Sequence, residues 1–256
     1  MEWKDGRPRC WWANPENPRY IHYHDAEWGV PVHDDRTLFE MLILEGFQAG
    51  LSWECILNKR ENFRRAFDGF DWEKVAAYGP EKREALAADA GIVRNRRKIA
   101  AAVGNAAAFA AIRREWGSFD AYLWHWTEGR TLREVGRATS PLSDAISKDL
   151  QKRGMKFVGS TIIYAYLQAV GVLWSHEPGC YLYKAGPGGE HWARARRTVW
   201  NGPARAEGGI DDGIFGTGGT GAPRHRGTAA KGASGDRGSF CGGLLQQRDH
   251  GRADRP

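Results

Sequence analysis

Cysteine is scarce in this chain: Cys10, Cys55, Cys180 and Cys241 are too few and too scattered for a disulfide framework. Long apolar runs are missing as well. The greasiest stretch, TIIYAYLQAVGVLW at 161–174, is too short and too polar to span a bilayer. The opening MEWKDGRPRC has no charged start followed by an apolar segment, so it does not read as a signal peptide. No alternation of apolar and polar residues lasts long enough to announce a strand, and no segment repeats. These absences predict a soluble, cytoplasmic protein with no membrane partner; a monomer is the separate expectation for its assembly.

An excess of one charge is also thin where the chain should fold. The net charge of +6 is concentrated late, because 185–256 holds 11 Lys+Arg against 7 Asp+Glu, leaving 26 against 24 in 1–184. Bulk charge therefore says little about the partner of the folded part. Composition breaks near Lys184: beyond it about a quarter of the residues are Gly, as in GIFGTGGTGAPRHRGTAAKG. Such a segment cannot bury enough apolar surface to offset its ordering entropy. It reads as a disordered Gly/Arg-rich appendage spanning 185–256, with a nucleic-acid-binding tail as the functional alternative.

What is present is helical patterning and tryptophan, twelve of them, an amphipathic ring that must pack or stack. Thr37 with Glu40 three residues later reads as a capping box opening TLFEMLILEGFQAG. WECILNKRENFRRAF puts Trp53, Ile56, Leu57, Phe63 and Phe67 on one stripe. Short helices are expected around DWEKVAAY and PEKREALAAD, then, past Gly91, a long one in RNRRKIAAAVGNAAAFAAIRREW. Ser140-Pro141 starts SPLSDAISKDLQKRG, which Gly154 closes, and MKFVG leads into STIIYAYLQAVGVL. The expectation is an all-α domain over 1–184.

Three places depart from plain core packing. Glu45 shares a helix direction with Leu38, Met41, Leu42 and Ala49, while Ile43 and Phe47 make the opposite face apolar too. A carboxylate there must be satisfied by an arginine or backbone amides, or be held ready for a ligand's donors. In H176-E-P-G-C180, His176 and Cys180 stand four apart, a spacing that can present both to one metal ion. Cys10 and either His22 or His24 could complete a tetrahedral set. Finally, the tight turn between SKDLQKRG and STIIYAYLQAVG points backbone amides outward at a helix start, a geometry that accepts a phosphate. Lys148, Lys152, Arg153 and Lys156 cluster near it.

CWW at 10–12, YIHYHDAEWGVP at 20–31, LFEMLILEGFQAGLSW at 38–53, KREN at 59–62, AGIVRNRRKIAAAVGNA at 90–106, SDAISKDLQKRGMKFVGSTIIYAYLQAVG at 143–171 and HEPGC at 176–180 together closely resemble the DNA-3-methyladenine glycosylase I family. The resemblance covers nearly all of 10–184, in order. It implies an all-α fold of the helix-hairpin-helix glycosylase superfamily, with a zinc clamp joining the N-terminal segment to the end of the last core helix. One structural zinc would be bound by Cys10, His24, His176 and Cys180, which chooses His24 over His22. Glu45, Tyr23 and Trp53 would form the base pocket, lined further by Trp12, Tyr20 and Trp28, with Glu45 the leading functional carboxylate. Gly50 and Leu51 would fill the gap left by the flipped nucleotide, and Lys156, Gly159, Ser160 and Thr161 would grip DNA phosphates.

The implied activity is hydrolysis of the N-glycosidic bond of 3-methyladenine in double-stranded alkylated DNA, leaving an abasic site. No lysine is placed for a Schiff base, so strand-cleaving lyase activity is not expected. The alternatives are a zinc-containing module that binds damaged DNA without catalysis, and a glycosylase for another modified base.

Overall fold

Helix α2 (Asp35–Gln48) is buried continuously from Leu38 to Phe47, which is why its sequence is apolar nearly all round. In the computed structural model, which describes residues 3–186, it is the central element, packed against α3 (Trp53–Ala66), α6 (Arg96–Trp116), α7 (Phe119–His125) and α9 (Ser160–Ala169). The reading of 185–256 as a disordered tail lies outside the described residues from 187 onward.

The start of α2 differs from the expected capping box. Asp34 is the N-cap, and its Oδ2 accepts from the Thr37 amide at 2.8 Å and the Thr37 hydroxyl at 2.7 Å. Glu40 is drawn away from capping by arginines of α3: Arg60 Nε lies 2.5 Å and Arg64 Nη2 2.8 Å from its carboxylate. Arg60 reaches on to Glu27 at 2.5 Å, just beyond helix α1 (Pro18–Ala26), so one buried guanidinium links three elements. Removing one partner of a buried, hydrogen-bonded ion pair costs about 3–5 kcal/mol, because the other charge is left uncompensated. Arg60→Met is therefore expected to lower the unfolding free energy by about that much in urea titration, with Glu40→Gln restoring part of the loss.

The long α6 carries α4 (Trp72–Ala76), α5 (Pro80–Ala88) and α7 along its length, and in the seam between α2, α6 and α7 Phe109 stacks on Phe119 and meets Phe39 at a tilt. Two short strands were not legible beforehand: β1 (Leu132–Arg133) and β2 (Leu173–Trp174) pair in parallel, Leu132 opposite Leu173 and Arg133 opposite Trp174. Two residues per strand leave no alternation to read. β2 follows directly from α9 past Gly171, whose φ of +75° and whose approach to the Val30–Pro31 backbone exclude any Cβ; one placed there would stand 2.3 Å from the Val30 carbonyl carbon. That close approach lays the WGVP segment along the end of α9, where Gly29 and Val32 amides donate to the Gln168 and Val170 carbonyls at 2.9 and 3.1 Å.

Helix α8 (Pro141–Lys152) begins as expected, with Ser140 capping, Ser143 returning the bond and Pro141 in the first turn. Gly154 then turns the chain at φ +92° toward α9, so α8 and α9 form two packed helices joined by a short hairpin. No helix among the described residues is long and apolar enough to cross a membrane.

Candidate functional site

Four residues from opposite ends of the chain converge. Cys10, His24, His176 and Cys180 are all buried, and their ligand atoms lie within 4.8 Å of one another. His22, the alternative to His24, instead faces solvent and stands 3.8 Å from Glu27. A tetrahedral ion bound at about 2.3 Å to sulfur and about 2.05 Å to nitrogen needs S···N edges of about 3.5 Å. The observed edges are 3.6 Å from Cys10 Sγ to His176 Nδ1, 3.5 Å from Cys180 Sγ to His24 Nε2, and 3.6 Å from Cys180 Sγ to His176 Nδ1. The donor set and its spacing therefore fit a thiolate- and imidazole-bound metal ion. The charge state fits as well: the Cys10 thiol beside it holds Cys180 well below the usual thiol range, helped by His176, His24 and the Leu182 amide. The same contact, with burial, pushes the Cys10 thiol up.

Helix α1 hangs from this cluster and carries aromatic rings on the face beside it. Trp12, two residues past Cys10, has its ring centroid 5.6 Å from Tyr20, 6.4 Å from Tyr23 and 4.7 Å from Trp28. Tyr23 in turn lies 5.1 Å from Trp53, the first residue of α3. Trp28 has a second occupation, standing edge-on to His176 at 4.8 Å and parallel to His24 at 6.4 Å, so it walls the cysteine–histidine cluster as well.

Glu45 of α2 sits against this aromatic group. It is only 4 % exposed, and no hydrogen bond or ion pair from the described residues reaches its carboxyl. Burial alone pushes it up to about 8. Its charge reaches the tyrosines: after burial, Glu54 and Glu45 both raise Tyr20, and Glu45 is the largest charge raising Tyr23. Of the two options left open for a buried glutamate, satisfaction by arginine or amides is not found among the described residues; Arg60 of α3 is taken by Glu27 and Glu40. The Trp53 indole N–H is buried with no acceptor among the described residues. An unpartnered acceptor and an unpartnered donor on adjacent elements, among aromatic faces, suit a flat polar ring.

The remaining candidate residues lie on two loops. Gly50, exposed at φ +79°, and half-buried Leu51 follow α2. Lys98, read at first only as part of α6, fixes their approach by donating to the Phe47 and Ala49 carbonyls at 2.8 and 2.6 Å. The α8–α9 hairpin is held by Asn105, which exchanges two bonds with the Lys156 backbone at 2.9 and 2.8 Å. An asparagine buried in the middle of an alanine-rich helix was the available signal. The start of α9 has Gly159 as N-cap with no side-chain cap; Ser160 Oγ meets Ser143 Oγ at 2.8 Å, and Thr161 and Lys156 are exposed. Of the basic cluster, Arg153 is occupied, bound to Glu115 at 2.5 Å and Asp149 at 2.7 Å.

Residues 11–183 match the methyladenine glycosylase family. The DNA-3-methyladenine glycosylase 1 of Escherichia coli (strain K12) is 48% identical over 182 residues, which are 68% of this chain and 96% of that protein. A crystal structure of a 3-methyladenine DNA glycosylase I superposes with a TM-score of 0.65 at 45% identity, covering 68% of this chain and 98% of that one. A variant of 3-methyladenine DNA glycosylase I in complex with 3-methyladenine gives a TM-score of 0.63 at 33% identity, covering 65% and 92%.

Proposed function

The chain belongs to the methyladenine glycosylase family, and from that premise we propose that it removes 3-methyladenine from double-stranded alkylated DNA by hydrolysis, acting as a single chain. The observation that carries the reading is Glu45: a carboxyl buried among aromatic rings with no partner of its own. A neutral core would not tolerate it without cause, whereas a damaged adenine supplies what it lacks.

The chemistry follows from the substrate. A 3-methylated adenine attached to deoxyribose is a flat cation, which attracts aromatic faces by stacking and cation–π contact. Tyr23 and Trp53 supply those faces, Trp12 and Tyr20 close the sides, and Trp28 backs them against the metal cluster. Glu45 accepts hydrogen bonds from the edge of the base. Stacking contributes about 1–3 kcal/mol per base and a hydrogen bond to a charged group about 1.5–3 kcal/mol. Together these offset the few kcal/mol needed to take the nucleotide out of the duplex. Water then bonds to the sugar C1′ as the C1′–N bond breaks; the bonding pair goes to the base, cancels its positive charge, and the water loses a proton. Because departure neutralises the ring, selection of the damaged base does more than any acid–base push.

Lys156, Gly159, Ser160 and Thr161 hold the phosphate backbone at the uncapped start of α9, and Gly50-Leu51 enters the stack where the base has left. Cys10, His24, His176 and Cys180 would hold a zinc ion, which would fasten the segment bearing Trp12 to the segment after α9. The test is direct. Purified protein is incubated with methylated duplex DNA and the freed bases are separated by chromatography. The expected product is 3-methyladenine, with abasic sites and no strand breaks before alkali. Tight binding without any freed base would leave a non-catalytic binding module, and a different principal base would change the substrate.

A further inference from the structure

Arg9 donates no ligand atom to the metal cluster, yet it stands one residue away from three of the four ligands: Cys10 is its chain neighbour, and its guanidinium touches Asp25, beside His24, and Tyr181, beside Cys180. Through Nε and Nη2 it grips both oxygens of Asp25, each at 2.7 Å, and Asp25 Oδ1 lies 2.8 Å from His24 Nδ1. Its plane lies 5.6 Å from the ring of Tyr181, the residue after Cys180, whose amide donates to the Pro8 carbonyl at 2.8 Å. On the far side Nη1 and Nη2 take both oxygens of Asp5, at 3.0 and 2.7 Å, and Trp3 covers the guanidinium at 4.9 Å. The side chain is 1 % exposed.

A buried cation two bonds away from a metal site needs a reason. His24 has two ring nitrogens, and only Nε2 points at the sulfurs. An imidazole keeps that nitrogen free for a metal when the other donates its proton to a carboxylate. The carboxylate must itself be fixed, and a planar fork bonded to both its oxygens fixes its rotation in a way an ammonium cannot.

We propose that Arg9 is the positioning residue of the metal centre. It locks Asp25, Asp25 locks His24 with Nε2 inward, and the arm formed by residues 3–9 is thereby a working part of the clamp. This rests on the reading of the Cys10–His24–His176–Cys180 cluster as a zinc site, so metal content of the parent protein is measured first.

The full chain and its Arg9→Lys, Arg9→Gln and Asp25→Asn variants are titrated with zinc against a chromogenic chelator. Cobalt is substituted in parallel to read the ligand-field bands of the centre. Loss of a carboxylate behind a metal-bound histidine lowers metal affinity about 10- to 100-fold, and that loss is expected for Asp25→Asn. Arg9→Lys keeps the charge but not the fork, and is expected to weaken zinc binding about tenfold with shifted cobalt bands. If Arg9 were only a fold staple, melting at saturating zinc would drop while zinc affinity and cobalt bands stayed at parent values; that result overturns the proposal. Should Arg9→Gln fail to fold, the lysine and asparagine variants decide. A parent protein that takes up no metal removes the zinc reading and this inference with it, whereas a zinc-loaded parent whose variants bind within twofold of it removes the inference alone.

Discussion

Glu45→Gln releases 3-methyladenine roughly 10- to 100-fold more slowly than the parent protein, the loss corresponding to about 1.5–3 kcal/mol for hydrogen bonds to a charged acceptor. The amide keeps the size of the carboxyl, so the aromatic walls and the fold are retained and base release in the chromatographic assay reads recognition alone. Undiminished release would remove Glu45 from the site. The same substitution has a signature in pH. Burial raises Glu45 to about 8, so at neutral pH the carboxyl of the free protein is protonated and must give up that proton to accept from the base edge. Affinity for free 3-methyladenine should therefore climb with pH by up to about tenfold per unit below 8 and level off above it, while the Gln variant stays flat over that range.

Stability moves in the opposite sense. A group whose folded-state value is raised stabilises the fold fully below its ordinary value, 4.5 here, and that contribution is lost as pH rises through about 8. The parent should consequently weaken between those limits by about 5 kcal/mol at most, and Glu45→Gln should escape most of the decline. A variant that is less active yet more stable at pH 8 than its parent is the mark of a residue kept for binding. A packing glutamate would lose on both counts.

How far the chain announced this arrangement depended on where each partner stood. Local chemistry was readable: Ser140-Pro141 and Gly154 bound α8 as their residue types require, and the uniform greasiness of 38–47 marked a helix buried all round. The buried Cys10–His24–His176–Cys180 group, split between the two ends of the domain, was carried by resemblance, since spacing alone left His22 and His24 equal. Distant polar partners left little trace beyond the asparagine set among the alanines of α6. Arg60, Arg9 and Asn105 look like solvated residues, and each is buried because its partners come from other elements: Glu27 and Glu40, Asp5 and Asp25, the Lys156 backbone. Thr37 and Glu40 had the right spacing for a capping box, but the ion pair to α3 outbid it for Glu40, and Asp34 took the cap.

Cys180→Ser should abolish stoichiometric zinc and lower the melting temperature together. A serine hydroxyl stays protonated where the thiol is held as thiolate, so the site falls to three ligands. Structural zinc can contribute about 10–16 kcal/mol of apparent binding energy, comparable with the whole stability of a typical domain, about 5–15 kcal/mol. Even about 4 kcal/mol of loss would lower the melting temperature by about 8–16 °C at this size, which calorimetry with metal analysis resolves. The seam that opens is specific: the cluster ties the segment around Cys10 to the segment after β2, while α2, α6 and α7 keep their own aromatic packing. Trp12, Tyr20 and Tyr23 hang from the loosened side, so base release should fall with metal content and recover in part on added zinc at low temperature. Glu45→Gln loses activity with zinc retained and the melting temperature kept or raised; Cys180→Ser loses all three at once. Full zinc occupancy in the serine variant, or activity that survives metal loss, would separate the clamp from the base site and break the link drawn between them.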